Sequence, residues 1–273
     1  MPELPEVETV KETLKRQILN NKIVDVKVNY PKIIEFPNVS EFIKQIKNQQ
    51  IIDIKRRGKW LMFELENYFL LSHLRMEGKY NIKPIGTIEN KHEHVIFVLD
   101  NNYELRYQDT RKFGKMHLIK KEEVYDSRPL NELGLEPNDE KLTINYLKEK
   151  YKNKSLPIKT VLLDQQIIVG IGNIYADEIL FLSKINPLKK SKDLTKKELQ
   201  LIIDNTKIVL EKAIRAGGTT IRSYTSSEGV HGLFQHELLV HGKEGEPCKD
   251  CNETLIKIKV GGRGTYYCKK CQK

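Results

Sequence analysis

Hydrophobic residues near the start of the chain recur at helical spacing. The apolar positions with this period are Val7, Val10, Leu14 and Ile18. Pro5 suits the first helical turn, and Glu6 and Glu8 complement the positive end of the helix dipole. The pattern predicts an amphipathic helix at the amino terminus.

Residues 23–119 have a different pattern, with short alternating apolar segments separated by Gly, Asn, Asp or Pro. This pattern is typical of β-strands joined by turns. The predicted strands are Ile23–Val28, Ile51–Lys55, Leu61–Leu65, Phe69–Leu74, Val95–Leu99, Leu105–Gln108 and Lys115–Ile119. We therefore expect a β-sandwich with the amino-terminal helix packed on it.

From Leu142 onward the apolar period changes to 3.6 residues, which indicates helices. The predicted helices are Tyr146–Tyr151, Pro157–Leu163, Tyr175–Ser183 and Lys196–Arg215. The segment between the second and third of these helices, residues 164–172, is too long for a simple helix-turn-helix corner. It suggests two consecutive turns. Pro129, Gly134 and Pro137 break any regular element near residues 125–140, so the domain boundary is expected there. The fold class is α+β and multidomain.

The charge balance favours a polyanionic partner. There are 47 Lys and Arg residues against 37 Asp and Glu, which gives a net charge of +10. Nucleic acid is the first candidate and an anionic membrane surface the second. No apolar segment approaches the roughly 20 residues of a membrane span, and the start does not resemble a signal or transit peptide. The expected location is a bacterial-type cytoplasm, associated with the nucleoid.

Two groups of lysines are either solvated faces or part of a surface for that partner. The first group comprises Lys148, Lys150, Lys152, Lys154 and Lys159, and the second Lys184, Lys189, Lys190 and Lys192.

All four cysteines lie near the carboxyl terminus, as Cys248, Cys251, Cys268 and Cys271. Each pair has two intervening residues, and the spacer between the pairs suits a β-hairpin. Two disulfides are the alternative, but nothing indicates secretion. We therefore expect one structural zinc ion bound by four thiolates, which closes the coordination shell and leaves no position for catalysis.

The first residues also allow a catalytic interpretation. Removal of Met1 would leave Pro2 with a free secondary amine next to the Glu3 carboxylate. Such an amine can attack an electrophilic sugar carbon to form an iminium ion, and a carboxylate can move the protons. A purely structural role at a helix start explains the same residues, and the opening segment alone does not decide between the two.

Six motifs together resemble the formamidopyrimidine-DNA glycosylase family along essentially the whole chain. They are PELPEVE at 2–8, RGKW at 57–60, SHLRMEG at 72–78, DTRKFG at 109–114, GIGNIYADE at 170–178 and GRGTYYC at 262–268. The resemblance implies an amino-terminal β-sandwich domain, a helix-two-turn-helix domain and a carboxyl-terminal β-hairpin zinc finger. We place them at residues 1–130, 131–235 and 236–273, with DNA bound between two lobes by a monomer.

The resemblance also implies a bifunctional enzyme that removes 8-oxoguanine or formamidopyrimidines from duplex DNA and then cleaves the strand by β,δ-elimination. A target base inside a duplex must first be flipped out. Pro2 would be the nucleophile, Glu3 the proton shuttle and Lys59 a general acid. Arg263 would contact the DNA backbone and take part in the second elimination, and Glu6 matches a further acidic residue near the site.

Five residues match DNA contacts of the family: Met76, Phe113, Arg111, His92 and Lys154. Met76, Arg111 and Phe113 would fill the hole left by the flipped base, with Arg111 facing the unpaired cytosine. Asn173, at a helix start, would contact a phosphate. His94 and Lys152 compete for the places of His92 and Lys154.

Residues 219–224 match a loop that closes over a flipped purine. An endonuclease VIII-like glycosylase for oxidised pyrimidines is the nearest alternative, although Leu4, Val7 and the Arg111 and Phe113 pair favour the purine enzyme. A zinc-bearing DNA-binding protein without catalysis is the second alternative, and only the presence of Pro2, Glu3 and Lys59 argues against it.

Overall fold

A computed structural model describes residues 1–219 and 232–273. The chain forms two units. The first contains residues 1–132 together with 219–232, and the second contains residues 133–218 and 233–273.

The first unit begins with helix α1, Leu4–Ile18, as its apolar period predicts. Val7, Leu14 and Ile18 on this helix are fully buried. Helix α2, Val39–Ile46, begins after Asn38, whose side chain accepts a hydrogen bond from the N–H of Glu41 and so satisfies one free donor of the first turn.

Among its described residues, this unit also contains two sheets, and they confirm the predicted sandwich. The strands are β1 Ile23–Val28, β2 Ile34–Phe36, β3 Ile51–Arg57, β4 Trp60–Leu65, β5 Tyr68–His73, β6 Lys79–Pro84, β7 Glu93–Leu99, β8 Tyr103–Gln108 and β9 Lys115–Lys120. One sheet has the order β1-β7-β8-β6, and the other β2-β9-β5-β4-β3. All pairs are antiparallel except the parallel pair β2 and β9. One apolar core includes Leu14 of α1, Phe63 of β4 and Phe97 of β7, so helix and sheets share it.

The second unit contains helices α3 Ile144–Tyr151, α4 Ile158–Leu162, α5 Asn173–Leu182 and α6 Lys196–Arg215. Helix α6 has the predicted bounds, whereas α5 begins two residues before the predicted Tyr175. The reason is Gly172, which is extended and serves as the N-cap. Thr143 and Thr195 cap α3 and α6 through their side chains.

The four cysteines belong to this second unit. Strands β10 Ile256–Val260 and β11 Arg263–Tyr267 form an antiparallel hairpin between the two cysteine pairs. Gly261 and Gly262 form its turn with positive φ angles of 53° and 77°, a conformation that glycine adopts without steric cost. Apolar contacts of Cys248 and Cys268 with Phe181 of α5 attach this hairpin to the helices.

Candidate active site and metal centre

The start of the chain is buried in the first unit. Pro2 is buried, and Glu3 is only 3% exposed. Glu6, one helical turn further, accepts the backbone N–H of Glu3 through Oε2 at 2.8 Å. Its second oxygen, Oε1, accepts the backbone N–H of Thr219 at 2.8 Å and the Thr219 hydroxyl at 3.1 Å. A single carboxylate therefore joins the chain start to a residue 213 positions away.

This environment disfavours a protonated amine. Burial lowers the pKa of the Met1 α-amino group below its ordinary value. The negative charges of Glu3 and Glu6 oppose this effect, and the positive charge of Lys59 adds to it. With Met1 in place the nitrogen of Pro2 is an amide, so this chain has no nucleophile at Pro2 until Met1 is removed.

Lys59 lies in the turn between β3 and β4. Arg57 and Trp60 are paired, so Gly58 and Lys59 form a two-residue hairpin turn, with φ of 55° at Gly58. A lysine in such a turn is ordinarily exposed, yet Lys59 is only 5% exposed. Its charge acts on the amino terminus, which places it in the surroundings of Glu3 and Glu6.

The three residues expected to fill a vacated base position lie on two turns of the same unit. Met76 is half-buried in the turn after β5, and Arg111 and Phe113 are exposed in the turn between β8 and β9. The Arg111 guanidinium lies 4.8 Å from the centre of the Phe113 ring. Phe113 is 48% exposed, so its ring is accessible to solvent next to the guanidinium.

The two histidines before and within β7 have different environments. His94 is buried, and its Nε2 lies 2.7 Å from the carbonyl oxygen of Asp109. His92 is half-buried, and its Nδ1 has no hydrogen-bond partner among the described residues. His94 is therefore engaged within the protein, whereas Nδ1 of His92 is a buried nitrogen without a partner in the described part of the chain.

In the second unit, the start of α5 lies against the cysteine hairpin. The Asn173 side chain donates from Nδ2 to the carbonyl oxygen of Gly264 at 3.0 Å. Asn173 is the first residue of α5, where backbone N–H groups without helical partners favour an anion. Arg263 is exposed next to the hairpin turn. The start of α5 and the guanidinium of Arg263 therefore lie on two elements that the Asn173 hydrogen bond connects.

Lys159 belongs to the first group of lysines, for which a solvated surface was one interpretation. Its side chain is instead fully buried. Its Nζ donates to the carbonyl oxygen of Asn173 at 2.8 Å and to Asp177 Oδ1 at 2.5 Å. The other oxygen of Asp177 lies 2.6 Å from Nδ1 of His241. A buried ion pair requires such extra hydrogen bonds to offset desolvation. This network of Lys159, Asp177 and His241 was not predicted from the sequence. It holds α5 in place next to Asn173.

Glu178, the next residue, holds the segment that leads into the cysteine module. Its carboxylate accepts the backbone N–H groups of Leu239, Val240 and His241 at 2.7 to 3.0 Å. Burial raises the pKa of Glu178, although these three donors act in the opposite direction.

Lys152 and Lys154, which follow α3, differ in their partners. Lys154 Nζ lies 3.4 Å from Asp164 Oδ2, and its carbonyl oxygen accepts the Ser191 hydroxyl at 2.8 Å. Lys152 is paired with Glu149 on the exposed surface at 2.5 Å. The backbone at Lys154 is therefore the more firmly held of the two.

The four cysteines fit a tetrahedral zinc ion. Their sulfur atoms all lie within 4.8 Å of one another. Two of the cross pairs, Cys248 with Cys271 and Cys251 with Cys268, have sulfur atoms 3.9 and 3.5 Å apart. Zn–S bonds of about 2.3 Å in a tetrahedron require sulfur separations of roughly 3.8 Å, whereas a disulfide requires about 2.05 Å. The site therefore binds one structural zinc ion, and the disulfide alternative is wrong.

The segment expected to close over a flipped base, residues 219–224, lies outside the described residues apart from Thr219. Within the described ranges, no helix is long and apolar enough to span a membrane.

A β-sandwich with a buried chain start, a helical region and a four-cysteine zinc hairpin together define a DNA glycosylase of base-excision repair. Three family models match the chain: the formamidopyrimidine-DNA glycosylase N-terminal domain over residues 1–116, its H2TH domain over 133–225, and the zinc finger found in FPG and IleRS over 245–273. The chain belongs to the formamidopyrimidine-DNA glycosylase family.

Curated relatives and solved structures agree with this assignment. The formamidopyrimidine-DNA glycosylase of Oceanobacillus iheyensis is 48% identical over 273 residues, which is 100% of this chain and 98% of that protein. The Bacillus subtilis protein of the same name is 46% identical and covers 100% and 99%. A Lactococcus lactis FPG mutant in complex with a Fapy-dG containing DNA has a TM-score of 0.93 at 39% identity, with full coverage of both chains. The wild-type L. lactis enzyme with an oxidised-pyrimidine containing DNA has a TM-score of 0.92 at 38% identity, again with full coverage.

Proposed function

We propose that this enzyme excises oxidised purines, such as 8-oxoguanine and formamidopyrimidines, from duplex DNA and then cleaves the strand at the abasic site. The observation that supports this most is the burial of the chain start with Glu3, Glu6 and Lys59. Burying three ionisable side chains around one amine is costly, and such clusters are typical of catalytic sites.

The proposed nucleophile is the secondary amine of Pro2 after removal of Met1. Because burial lowers the pKa of the terminal amine in the untrimmed chain, we expect the same surroundings to lower the pKa of the Pro2 amine and so to favour its nucleophilic, unprotonated form. The nitrogen forms a bond to the sugar C1′ as the bond from C1′ to the base breaks. Lys59 donates a proton to the departing base.

The bound nitrogen then gives up its proton to the Glu3 carboxylate. The C1′–O bond of the sugar ring breaks as the nitrogen forms a double bond to C1′, and Glu3 delivers the same proton to the ring oxygen. The resulting iminium ion at C1′ withdraws electrons, so the C2′ proton becomes acidic. Its loss expels the 3′ phosphate, and a second elimination, assisted by Arg263, expels the 5′ phosphate. Water finally hydrolyses the iminium ion, which restores the aldehyde at C1′ and releases the Pro2 amine.

The DNA contacts follow from exposure and charge. We propose that Phe113 and Met76 enter the stack where the damaged base was, and that Arg111 donates to the cytosine left opposite. We propose phosphate contacts for Asn173, Arg263, Lys154 and His92, since each offers a donor on an exposed or half-buried surface.

We further propose that residues 1–130, 131–235 and 236–273 are separate structural domains of a monomer that acts on the nucleoid in the cytoplasm. The net charge of +10 supports association with chromosomal DNA.

Substrate choice is tested by excision rates on otherwise identical duplexes that contain 8-oxoguanine or thymine glycol. We expect the purine lesion to be removed faster. A preference for oxidised pyrimidine is the second candidate, because a relative has been solved with such DNA. Faster removal of thymine glycol would replace the first assignment by the second.

Strand cleavage is tested on a duplex with a preformed abasic site. We expect products with phosphate at both ends of the gap, because β,δ-elimination leaves both phosphates. A Pro2→Gly variant should give little of this product, whereas Pro31→Gly, at a proline outside the proposed site, should retain it. Tight DNA binding by the wild type without any cleavage or base removal would favour a non-catalytic DNA-binding protein.

A further inference from the structure

Two turns of the first unit meet at the hydroxyl group of one buried tyrosine. Gly78 closes the turn that contains Met76, with its N–H donating to the carbonyl oxygen of Leu74 at 2.9 Å. Gly114 closes the turn that contains Arg111 and Phe113. A Cβ atom on Gly78 would lie 2.3 Å from the Tyr107 hydroxyl oxygen, and one on Gly114 would lie 1.7 Å from it. The hydroxyl group therefore occupies the space that both glycines leave.

Tyr107 is itself fixed in the core. It is fully buried on β8, and its ring packs edge-on against Tyr80 at 5.3 Å. The hydroxyl of Tyr80 in turn donates to Ser72 at 2.7 Å. The contact point of the two turns is thus connected to both sheets, because Ser72 lies on β5.

Asp109 organises the second turn from the inside. Its carboxylate is fully buried and accepts the backbone N–H groups of Arg111, Phe113 and Gly114 at 2.8 to 2.9 Å. The Tyr107 hydroxyl lies 3.4 Å from the same carboxylate. Three N–H donors on one carboxylate fix the backbone on both sides of Lys112, which has a φ of 58°, an uncommon value for a residue with a side chain.

A second link between the turns lies nearer the surface. The Thr110 hydroxyl donates to the carboxylate of Glu77. Arg75 in the first turn also has a positive φ, of 55°, and its N–H donates to Nδ1 of His73 at 3.0 Å. Both turns therefore have uncommon backbone angles that the surrounding contacts maintain.

We propose that Tyr107 and Asp109 are positioning residues that hold the two turns rigidly. The side chains of Met76, Arg111 and Phe113 then enter the DNA in one preformed arrangement. This inference rests on the proposed function, which assigns the three side chains to the vacated base position. Preformed turns lose less conformational entropy on binding than mobile ones. Arg111 can then discriminate the opposite base, because its distance from the Phe113 ring is fixed before DNA arrives. Without the Tyr107 hydroxyl, only the contact of Thr110 with Glu77 joins the two turns, so the turns move more freely and Arg111 adapts to an incorrect opposite base.

The test compares Tyr107→Phe with the wild type in binding to duplexes that contain a tetrahydrofuran abasic analogue opposite cytosine or adenine. The measured quantity is the ratio of the two dissociation constants, which a general loss of stability does not change. We expect the preference for cytosine to fall about fivefold, the factor that corresponds to one hydrogen bond of typical net strength. Tyr103→Phe is the matched control, because Tyr103 lies on the same strand and is 43% exposed.

Thr110→Val removes the second link and serves as an independent variant. If both links hold the same pair of turns, the double variant Tyr107→Phe with Thr110→Val should lower the preference for cytosine by more than the product of the two single effects. Equal cytosine preference in the wild type and Tyr107→Phe would overturn the inference, including the case in which neither has a preference. Failure of the proposed function is distinguishable, because the wild type would then not bind the abasic duplexes more tightly than undamaged DNA.

Discussion

The carboxylate of Glu8 accepts a hydrogen bond from Nε of Arg56 at 2.7 Å, and this contact joins α1 to β3. The other arm of the guanidinium, Nη1, donates to the carbonyl oxygen of Gly58 at 2.9 Å. Gly58 precedes Lys59, and α1 begins directly after Glu3. One arginine therefore connects the helix of the proposed proton shuttle to the turn of the proposed general acid. The side chains of Arg56 and Glu8 are 14% and 20% exposed, so water screens the pair only partly.

Replacing Arg56 should impair catalysis more than its distance from the proposed chemistry suggests. In Arg56→Met the hydrogen bonds to Glu8 of α1 and to the Gly58 carbonyl of the turn are both lost. We expect base removal to slow about tenfold, which corresponds to roughly 1.4 kcal/mol in the barrier. The measurement is single-turnover excision of 8-oxoguanine. Lys55→Met is the control, because the Lys55 pair with Glu64 lies on the surface and such pairs contribute little. Equal rates for the two variants would show that Arg56 does not position Lys59.

His73 should make the first unit less stable in mild acid. Burial, and then the positive charges of Arg75 and Lys59, lower the pKa of His73 from 6.5 to about 3. The unfolded chain therefore takes up a proton as the pH falls below 6.5, whereas the folded chain does not do so until about pH 3. Stability is lost across this window as the pH decreases.

The variant His73→Asn tests this, because its amide oxygen can replace Nδ1 as the acceptor for Arg75. Between pH 7 and pH 5 it should lose about 2 kcal/mol less unfolding free energy than the wild type. Urea unfolding followed by Trp60 fluorescence measures the difference, since Trp60 is the only tryptophan and its ring lies 4.8 Å from that of His73. An identical acid loss in both proteins would contradict the assignment.

Removing only one partner of the ion pair between Lys159 and Asp177 should strongly lower the free energy of unfolding. Both side chains are fully buried, so Lys159→Met leaves a buried carboxylate with less compensation. We expect a loss of about 3 to 5 kcal/mol in unfolding free energy, measured by circular dichroism of the helices. Lys148→Met should change little, because Lys148 is exposed on α3. The double variant Lys159→Met with Asp177→Leu should recover part of the loss, and no recovery would argue against an ion pair.

Zinc removal should unfold the hairpin and leave the first unit folded. In Cys251→Ala only three of the four thiolates remain. We expect loss of zinc, measured with a chromophoric chelator, and loss of DNA binding, while Trp60 fluorescence stays native because Trp60 belongs to the other unit. Lys249→Ala, at an exposed neighbouring position, should retain both metal and binding. Retained DNA binding after zinc loss would show that the hairpin is dispensable.

Local patterns were sufficient for most of the fold. The strands with strong alternation and the long amphipathic helix α6 were predictable because each buries one face. Helix α2 was missed because its short apolar repeat lies among strands. Strands β2 and β6 were missed because β2 has only three residues and β6 has only one buried residue, Tyr80.

The site was predictable where function depends on local spacing, as in the zinc cysteines. It was not predictable where partners are distant in sequence. The residues next to Lys159 in the sequence do not indicate that it is buried. Its partner Asp177 lies on α5, and His241 lies 64 positions after Asp177. The contact of Glu6 with Thr219 joins residues 213 positions apart, and the role of Tyr107 depends on two glycines from different turns.

The most direct test of the account is to locate the covalent bond to DNA. The wild-type protein is incubated with an 8-oxoguanine duplex and borohydride, which reduces an imine to a stable amine, and the trapped protein is digested and analysed by mass spectrometry. The account predicts a deoxyribose adduct on the nitrogen of Pro2 in a peptide that lacks Met1. An adduct on Lys59, or trapping by a protein that retains Met1, would contradict it.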